Sequence, residues 1–156
     1  MKIYTLKRIQ EVAAPLEEVW DFFSNPENLA LITPPWLGFR VISGGGRKIY
    51  KGMLIKYKVS PLLRIPVTWV TEITEVEEMK RFVDVQRTGP YALWRHEHIF
   101  EEKNGAVEVK DVVSYALPLG PLGRIAHSLD TKKRLGRIFD FRRQYVERRF
   151  GAPTGA

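Results

Sequence analysis

The 156-residue chain contains no cysteine. Disulfides, zinc–thiolate sites, iron–sulfur clusters and cysteine nucleophiles are excluded with it. A cytoplasmic location is the default expectation. Asn and Gln together number six, a scarcity shared with proteins from hot environments. Long apolar runs are also missing. The longest charge-free stretches, 28–39 and 112–123, are 12 residues each. A membrane helix needs roughly 18–20 apolar residues, so no stable membrane insertion is expected. The opening MKIYTLKRIQEV has no apolar stretch of the kind a signal peptide requires. There is no G-x-S-x-G elbow for a serine hydrolase. Gly44-Gly45-Gly46-Arg47-Lys48 lacks phosphate-loop spacing and precedes a strand, so it reads as a flexible hairpin. No helix-turn-helix, RNP-type or zinc-finger pattern is present, and no nucleic-acid partner is expected.

Apolar types make up 44% of the chain and charged types 28%, enough for one globular domain with a real core. The net charge of +7 is uneven. Residues 121–150 carry nine Lys/Arg against Asp130, Asp140 and Glu147, and 40–64 hold seven basic residues and no acid. The plain reading is a solvated helix face and a basic hairpin. The sharper one is a module docking an acidic partner or membrane surface.

The pattern along the chain is mostly period two. Residues 2–12 read as a first strand. Leu16, Val19, Trp20 and Phe23 then recur at i, i+3, i+4, i+7 after Pro15, which predicts a helix with Glu17 and Glu18 in its first turn. Asn25-Pro26 ends it, a short helical turn follows over 26–31, and two prolines keep Thr33-Pro34-Pro35-Trp36 out of regular helix. Strands follow at about 38–43, 49–59, 64–76, 80–88, 91–102 and 106–117, punctuated by Gly44–Gly46, Ser60-Pro61 and Asn104-Gly105. Met53, Ile55, Tyr57 and Val59 share one face of their strand, and Val67, Trp69, Thr71 and Ile73 make a similar set on the next, on the same face of the sheet. A long amphipathic helix is expected over 121–149, bent near Thr131–Arg134. The domain is 1–150, and the tail 151–156 is expected to be disordered. Hairpin-length links imply antiparallel pairing, hence an α+β fold of seven strands around one long helix.

This order resembles the START-like, or SRPBCC, superfamily with its helix-grip fold, in the bacterial ligand-binding, polyketide cyclase/dehydrase-like branch. The residues that carry the resemblance span roughly 2–148. They include Ile32-Thr33-Pro34-Pro35-Trp36, Arg81-Phe82-Val83-Asp84, Gly89-Pro90-Tyr91, Trp94-x-His96-x-His98-x-Phe100, Tyr115-Ala116-Leu117-Pro118 and Arg137-Ile138-Phe139-Asp140-Phe141-Arg142-Arg143. The chain departs from the pattern at Arg95, Asp130 and Gly136. The resemblance implies a hydrophobic small-molecule partner, lipid-, sterol- or polyketide-like, held between sheet and helix. Some relatives are cyclases or dehydratases. Carriage is therefore the first reading, and a cyclase- or dehydratase-like enzyme the alternative.

Ligand-binding candidates are Trp36, Tyr57, Trp69, Trp94, His96, His98, Asp111, Tyr115, Ile125 and Leu129. No catalytic residue, metal or cofactor is assigned, and the oligomeric state is open. His96, His98 and His127 are numerous enough for zinc or copper, but they are read as cavity-lining or core histidines. Tyr57 and Trp69 should point toward the helix, with Trp36 near the mouth. Thr33–Trp36 and Pro118–Gly123 should flank the opening. An Asn104-Gly105 type I′ hairpin places Trp94 opposite Tyr115, His96 opposite Val113, His98 opposite Asp111 and Phe100 opposite Val109. His98 and Asp111 are then expected to form a buried pair, able to orient a ligand carbonyl or hydroxyl or to supply acid–base chemistry. Such a pair should hold His98 protonated to higher pH unless desolvation wins. Asp84 falls beside His96 if the 89–91 turn has three residues, and not if it has two.

Overall fold

A computed structural model describes residues 1–60, 65–126 and 130–151. Its strands are β1 (Tyr4–Val12), β2 (Arg40–Ser43), β3 (Leu54–Val59), β4 (Val67–Glu77), β5 (Arg81–Thr88), β6 (Leu93–Lys103) and β7 (Ala106–Ala116). The helices are α1 (Leu16–Phe23), α2 (Pro121–Ala126) and α3 (Lys132–Phe150), with single 3-10 turns at Pro26–Ala30 and Pro35–Leu37. The strands form one curved antiparallel sheet in the order β1-β7-β6-β5-β4-β3-β2. Among the described residues no helix is long and apolar enough to cross a membrane.

Local chemistry sets the registers that matter. Asn104 and Gly105 both take positive φ (51° and 79°), as a type I′ turn demands, and Lys103 pairs with Ala106. His96 then faces Val113, and His98 faces Asp111. Across β5 and β6, Asp84 faces His96, the register of an odd-length turn. In β4 the register shifts between Ile73 and Glu75. This irregularity lets both Ile73 and Val76 pack inward while Glu75 stays outside to bind Arg81.

Three apolar clusters make the core. One gathers Val12, Trp20, Phe82, Phe100 and Val146 beneath α1, with Trp20 edge-on to Phe82 and Phe100. A second holds Met53, Ile55, Tyr57, Val59, Trp69 and Ile73 on β3 and β4. The third packs Leu135 and Phe139 of α3 against Val113 and Tyr115. Arg8 to Asp140 (2.7 Å) and Gln10 Nε2 to the Arg143 carbonyl (3.0 Å) tie β1 to α3.

The segment read as one helix over 121–149 is α2 and α3, with π-helical backbone at Asp130 and Thr131. Pro61, His127, Leu129 and the tail beyond Gly151 lie outside the described residues.

Candidate functional site

The three clusters touch through Ile49, Val76, Tyr91 and Trp94 at their margins. Between them lies a cavity of about 180 Å³. Ile55, Tyr57, Trp69 and Ile73 form its sheet wall, Phe22 and Phe23 close it from α1, and Leu135, Ile138 and Phe139 from α3. Tyr57 and Trp69 stack with ring centroids 5.8 Å apart, and Trp94 meets Trp69 edge-on at 5.3 Å. Trp69 Nε1 is buried without a hydrogen-bond partner. The wall is polar at one end, where Thr71, Asp84, His96, His98 and Arg142 line it.

That end is a cage of two imidazoles between two carboxylates. The His96 and His98 rings stack at 3.7 Å, and Phe82 stacks on the other face of His98 at 4.0 Å. His98 Nε2 lies 2.6 Å from Asp84 Oδ2, and His96 Nε2 lies 2.8 Å from Asp111 Oδ1. The remaining ring nitrogens face the opposite acids at longer range: His96 Nδ1 is 3.9 Å from Asp84 Oδ2, and His98 Nδ1 is 3.5 Å from Asp111 Oδ1. Arg142 reaches down from α3 to Asp111 (3.2 Å) with its guanidinium over Phe23 and Phe139. Asp84, His96 and His98 offer one ligand atom each within 4.8 Å of one another, a set able to hold a metal ion.

Burial, with His96 next to it, pushes His98 down to about 4, against the pull of Asp84. Burial opposes ionisation of Asp84 too, but the His98 hydrogen bond and the electrostatic pull of the two imidazoles and Arg142 hold it below the ordinary range. Asp111 is buried as well. Arg142 and the His96 hydrogen bond outweigh this and hold it well below the usual carboxylate range. Ionised carboxylates only accept, so each imidazole donates from Nε2 and, when neutral, carries its lone pair on Nδ1. His98 Nδ1 is buried and has no hydrogen-bond partner.

Of the sequence candidates, Tyr57, Trp69, Trp94, His96 and His98 line the cavity. Tyr57 and Trp69 point inward, as the period-two pattern requires. Asp111 sits behind His96, outside the lining, and Tyr115 is buried in the third core cluster. Trp36 is 49% exposed and does not reach the cavity; its neighbours Thr33 and Leu37 do. Ile125 is 56% exposed, because α2 does not continue the buried stripe of α3. None of the residues 118–123 borders the cavity, so only the Thr33–Leu37 segment flanks it. Leu129 lies outside the described residues. His98 faces Asp111 across the strands as expected, yet its hydrogen bond goes diagonally to Asp84, and desolvation prevails over the carboxylate.

Arg142 is not among the sequence candidates. Its signal is positional: Leu135, Phe139, Arg142 and Val146, spaced 4, 3 and 4, are the residues α3 buries.

A curved antiparallel sheet holding a C-terminal helix across an interior cavity is the helix-grip arrangement. The chain belongs to the family described as polyketide cyclase / dehydrase and lipid transport, whose profile matches residues 12–139. Its fold is similar to that of a protein from Thermus thermophilus, with TM-score 0.73 and 15% identity over 94% of this chain and 97% of that one. It is similar to ginseng major latex-like protein 151 from Panax ginseng (0.68, 12%, 95% and 97%). A START superfamily protein from Mycobacterium smegmatis is also similar (0.66, 13%, 94% and 96%). No curated protein matches the chain.

Proposed function

We propose that the protein binds and carries a small hydrophobic molecule bearing one polar group. The observation that carries this reading is the cavity itself, lined mainly by apolar and aromatic side chains, with Asp84, His96, His98 and Arg142 clustered on one wall and Asn25, Asn28 and Thr33 engaged with local backbone groups. Its 180 Å³ is close to the roughly 150 Å³ that accommodates benzene in an engineered core, and below the roughly 300–1,000 Å³ usual for ligand pockets. The ligand that fits is therefore a single ring or a short branched chain, not a sterol or a polycyclic polyketide. Mass spectrometry of extracts from freshly purified protein should find such a compound, and one-ring phenols or ketones should raise the melting temperature. Ile73→Trp should abolish that rise by filling the cavity. If small apolar compounds give no shift and nothing copurifies, the carrier reading falls.

A second reading is supported by the Asp84–His98 contact. A carboxylate and an imidazole held 2.6 Å apart on the cavity wall place an acid–base pair within reach of a bound carbonyl compound, as the opening step of cyclase- or dehydratase-type chemistry requires. Asp84→Asn should then remove turnover of a small β-hydroxy ketone while leaving its binding within a fewfold. Lack of turnover across a panel of such ketones would leave carriage alone.

A further inference from the structure

We infer that Asp84, His96 and His98 form a binding site for a divalent first-row transition cation, with the ion's open coordination position facing the cavity. The ligand atoms are Asp84 Oδ2, His96 Nδ1 and His98 Nε2. They come from neighbouring positions on β5 and β6, and all three residues line the cavity. Two imidazoles and one carboxylate suit zinc, iron(II) or cobalt(II). Magnesium and calcium prefer larger oxygen sets and are poorly served here.

Charge favours an ion at this point. Asp84 has no Lys or Arg within salt-bridge distance among the described residues; its ion-pair contacts are the two histidines. Arg142 is engaged by Asp111 instead. Two carboxylates, Asp84 and Asp111, stand against the two rings while a single guanidinium, Arg142, reaches them, so the cage is rich in anionic oxygen atoms.

The strongest indication is His98 Nδ1, buried and without a partner although 3.5 Å from Asp111 Oδ1. With Nε2–H given to Asp84, Nδ1 is a lone pair facing an acceptor. A cation on Nε2 reverses this tautomer. The single ring proton passes from Nε2 to Nδ1, and Nδ1–H donates to Asp111. His96 already donates Nε2–H to the same oxygen. Asp111 would then orient both metal-bound imidazoles from behind, itself fixed by Arg142. Such carboxylate–histidine–metal relays set ring orientation and tautomer in metal sites generally.

Binding requires a local adjustment. Two ligands each about 2.1 Å from a tetrahedral ion lie about 3.4 Å apart. The 2.6 Å contact between His98 and Asp84 must therefore open, and the 3.9 Å gap from His96 to Asp84 must close. The rings, stacked at 3.7 Å, must splay so that their lone pairs converge.

The test uses the full chain, stripped by a chelator and titrated with cobalt(II). One equivalent should produce visible d–d bands, lost on adding zinc and kept on adding magnesium, and zinc should raise the melting temperature. Asp84→Asn and His98→Ala should each weaken cobalt binding at least tenfold. Asp111→Asn, acting as a positioning change, should weaken it while keeping the one-to-one stoichiometry. Asp84→Asn nearly preserves volume, so it reads the site even if His98→Ala unfolds. No cobalt bands and no zinc-dependent melting shift in the wild type would overturn the proposal, as would stoichiometric binding indifferent to Asp84→Asn. A one-ring ligand tested on the same stripped protein reads the cavity separately, so a failed metal site leaves the carrier reading standing.

Discussion

His98 and Arg142 occupy the most consequential environments in the molecule. The folded imidazole of His98 is held at about 4, below the roughly 6.5 of an unfolded chain. As pH falls, the unfolded form takes up this proton first. The stability contributed by a neutral His98 is therefore complete above about pH 6.5 and is lost as pH drops toward 4, on the order of 3 kcal/mol in all. Urea titrations of chelator-treated protein at pH 7.5 and 4.5 should show that loss, and His98→Gln should flatten it. A wild type equally stable at both pH values would contradict the assignment. Arg142 is the guanidinium that compensates Asp111, both of them buried. Arg142→Met should cost roughly 3–5 kcal/mol, because it strands a buried carboxylate. Adding Asp111→Leu should recover much of it. A double variant no more stable than the single one would mean that the ion pair is not what Arg142 contributes.

Two glycines of the C-terminal helices have opposite roles. A Cβ on Gly123 in α2 would stand 2.3 Å from the Pro118 carbonyl oxygen, a backbone atom. Gly123→Ala should therefore destabilise by roughly 1–3 kcal/mol. A Cβ on Gly136 in α3 meets only Arg8 Nη2 at 3.6 Å, an ordinary contact. Gly136→Ala should stabilise by up to about 1 kcal/mol through helix propensity. Thermal melts of the two variants should move in opposite directions, and a shift of the same sign in both would refute the account. Local codes like these explain which elements are legible in advance. Asn104-Gly105 specifies its turn through two positive φ angles, so every β6–β7 pairing can be read from the sequence. The 89–91 turn carries no such code, so the position of Asp84 stays open between two registers. Ile125 is misplaced because the sequence pattern assigns one apolar face to the whole of 121–149, whereas α2 leaves Leu122 and Ile125 exposed. Trp36 sits in a 3-10 turn with only Leu37 buried, and no periodicity reports the direction of a three-residue turn.

At the scale of the whole molecule, the family and the inward face of the sheet are readable from the sequence, but the volume of the cavity is not. Volume depends on how much space three clusters leave between them, and Phe22, Phe23 and Ile32 narrow it from elements remote in sequence. The diagonal choice of His98 for Asp84 over the facing Asp111 is likewise a matter of side-chain rotation, which register arithmetic does not contain. A size limit follows from the cavity. In a calorimetric series at fixed polarity, one-ring compounds should bind and three- or four-ring analogues should be at least tenfold weaker. Equal affinity across the series would mean that the cavity opens well beyond 180 Å³.

The pairing of β1 with β7 has a consequence for how the protein is made. Residues 4–12 find their partner only at 107–115, and their ties to α3 lie further on still. At about 5–20 residues per second, the first strand to leave the ribosome waits on the order of 5–20 s for the last. The meander from β2 to β7 links strands that are neighbours in sequence and can assemble during that interval. Closing the long loop to β1 is left as the slow, high-contact-order step. Lys7 and Glu11 on the outward positions of β1 put charge on a strand that would otherwise invite pairing with another nascent chain while it waits.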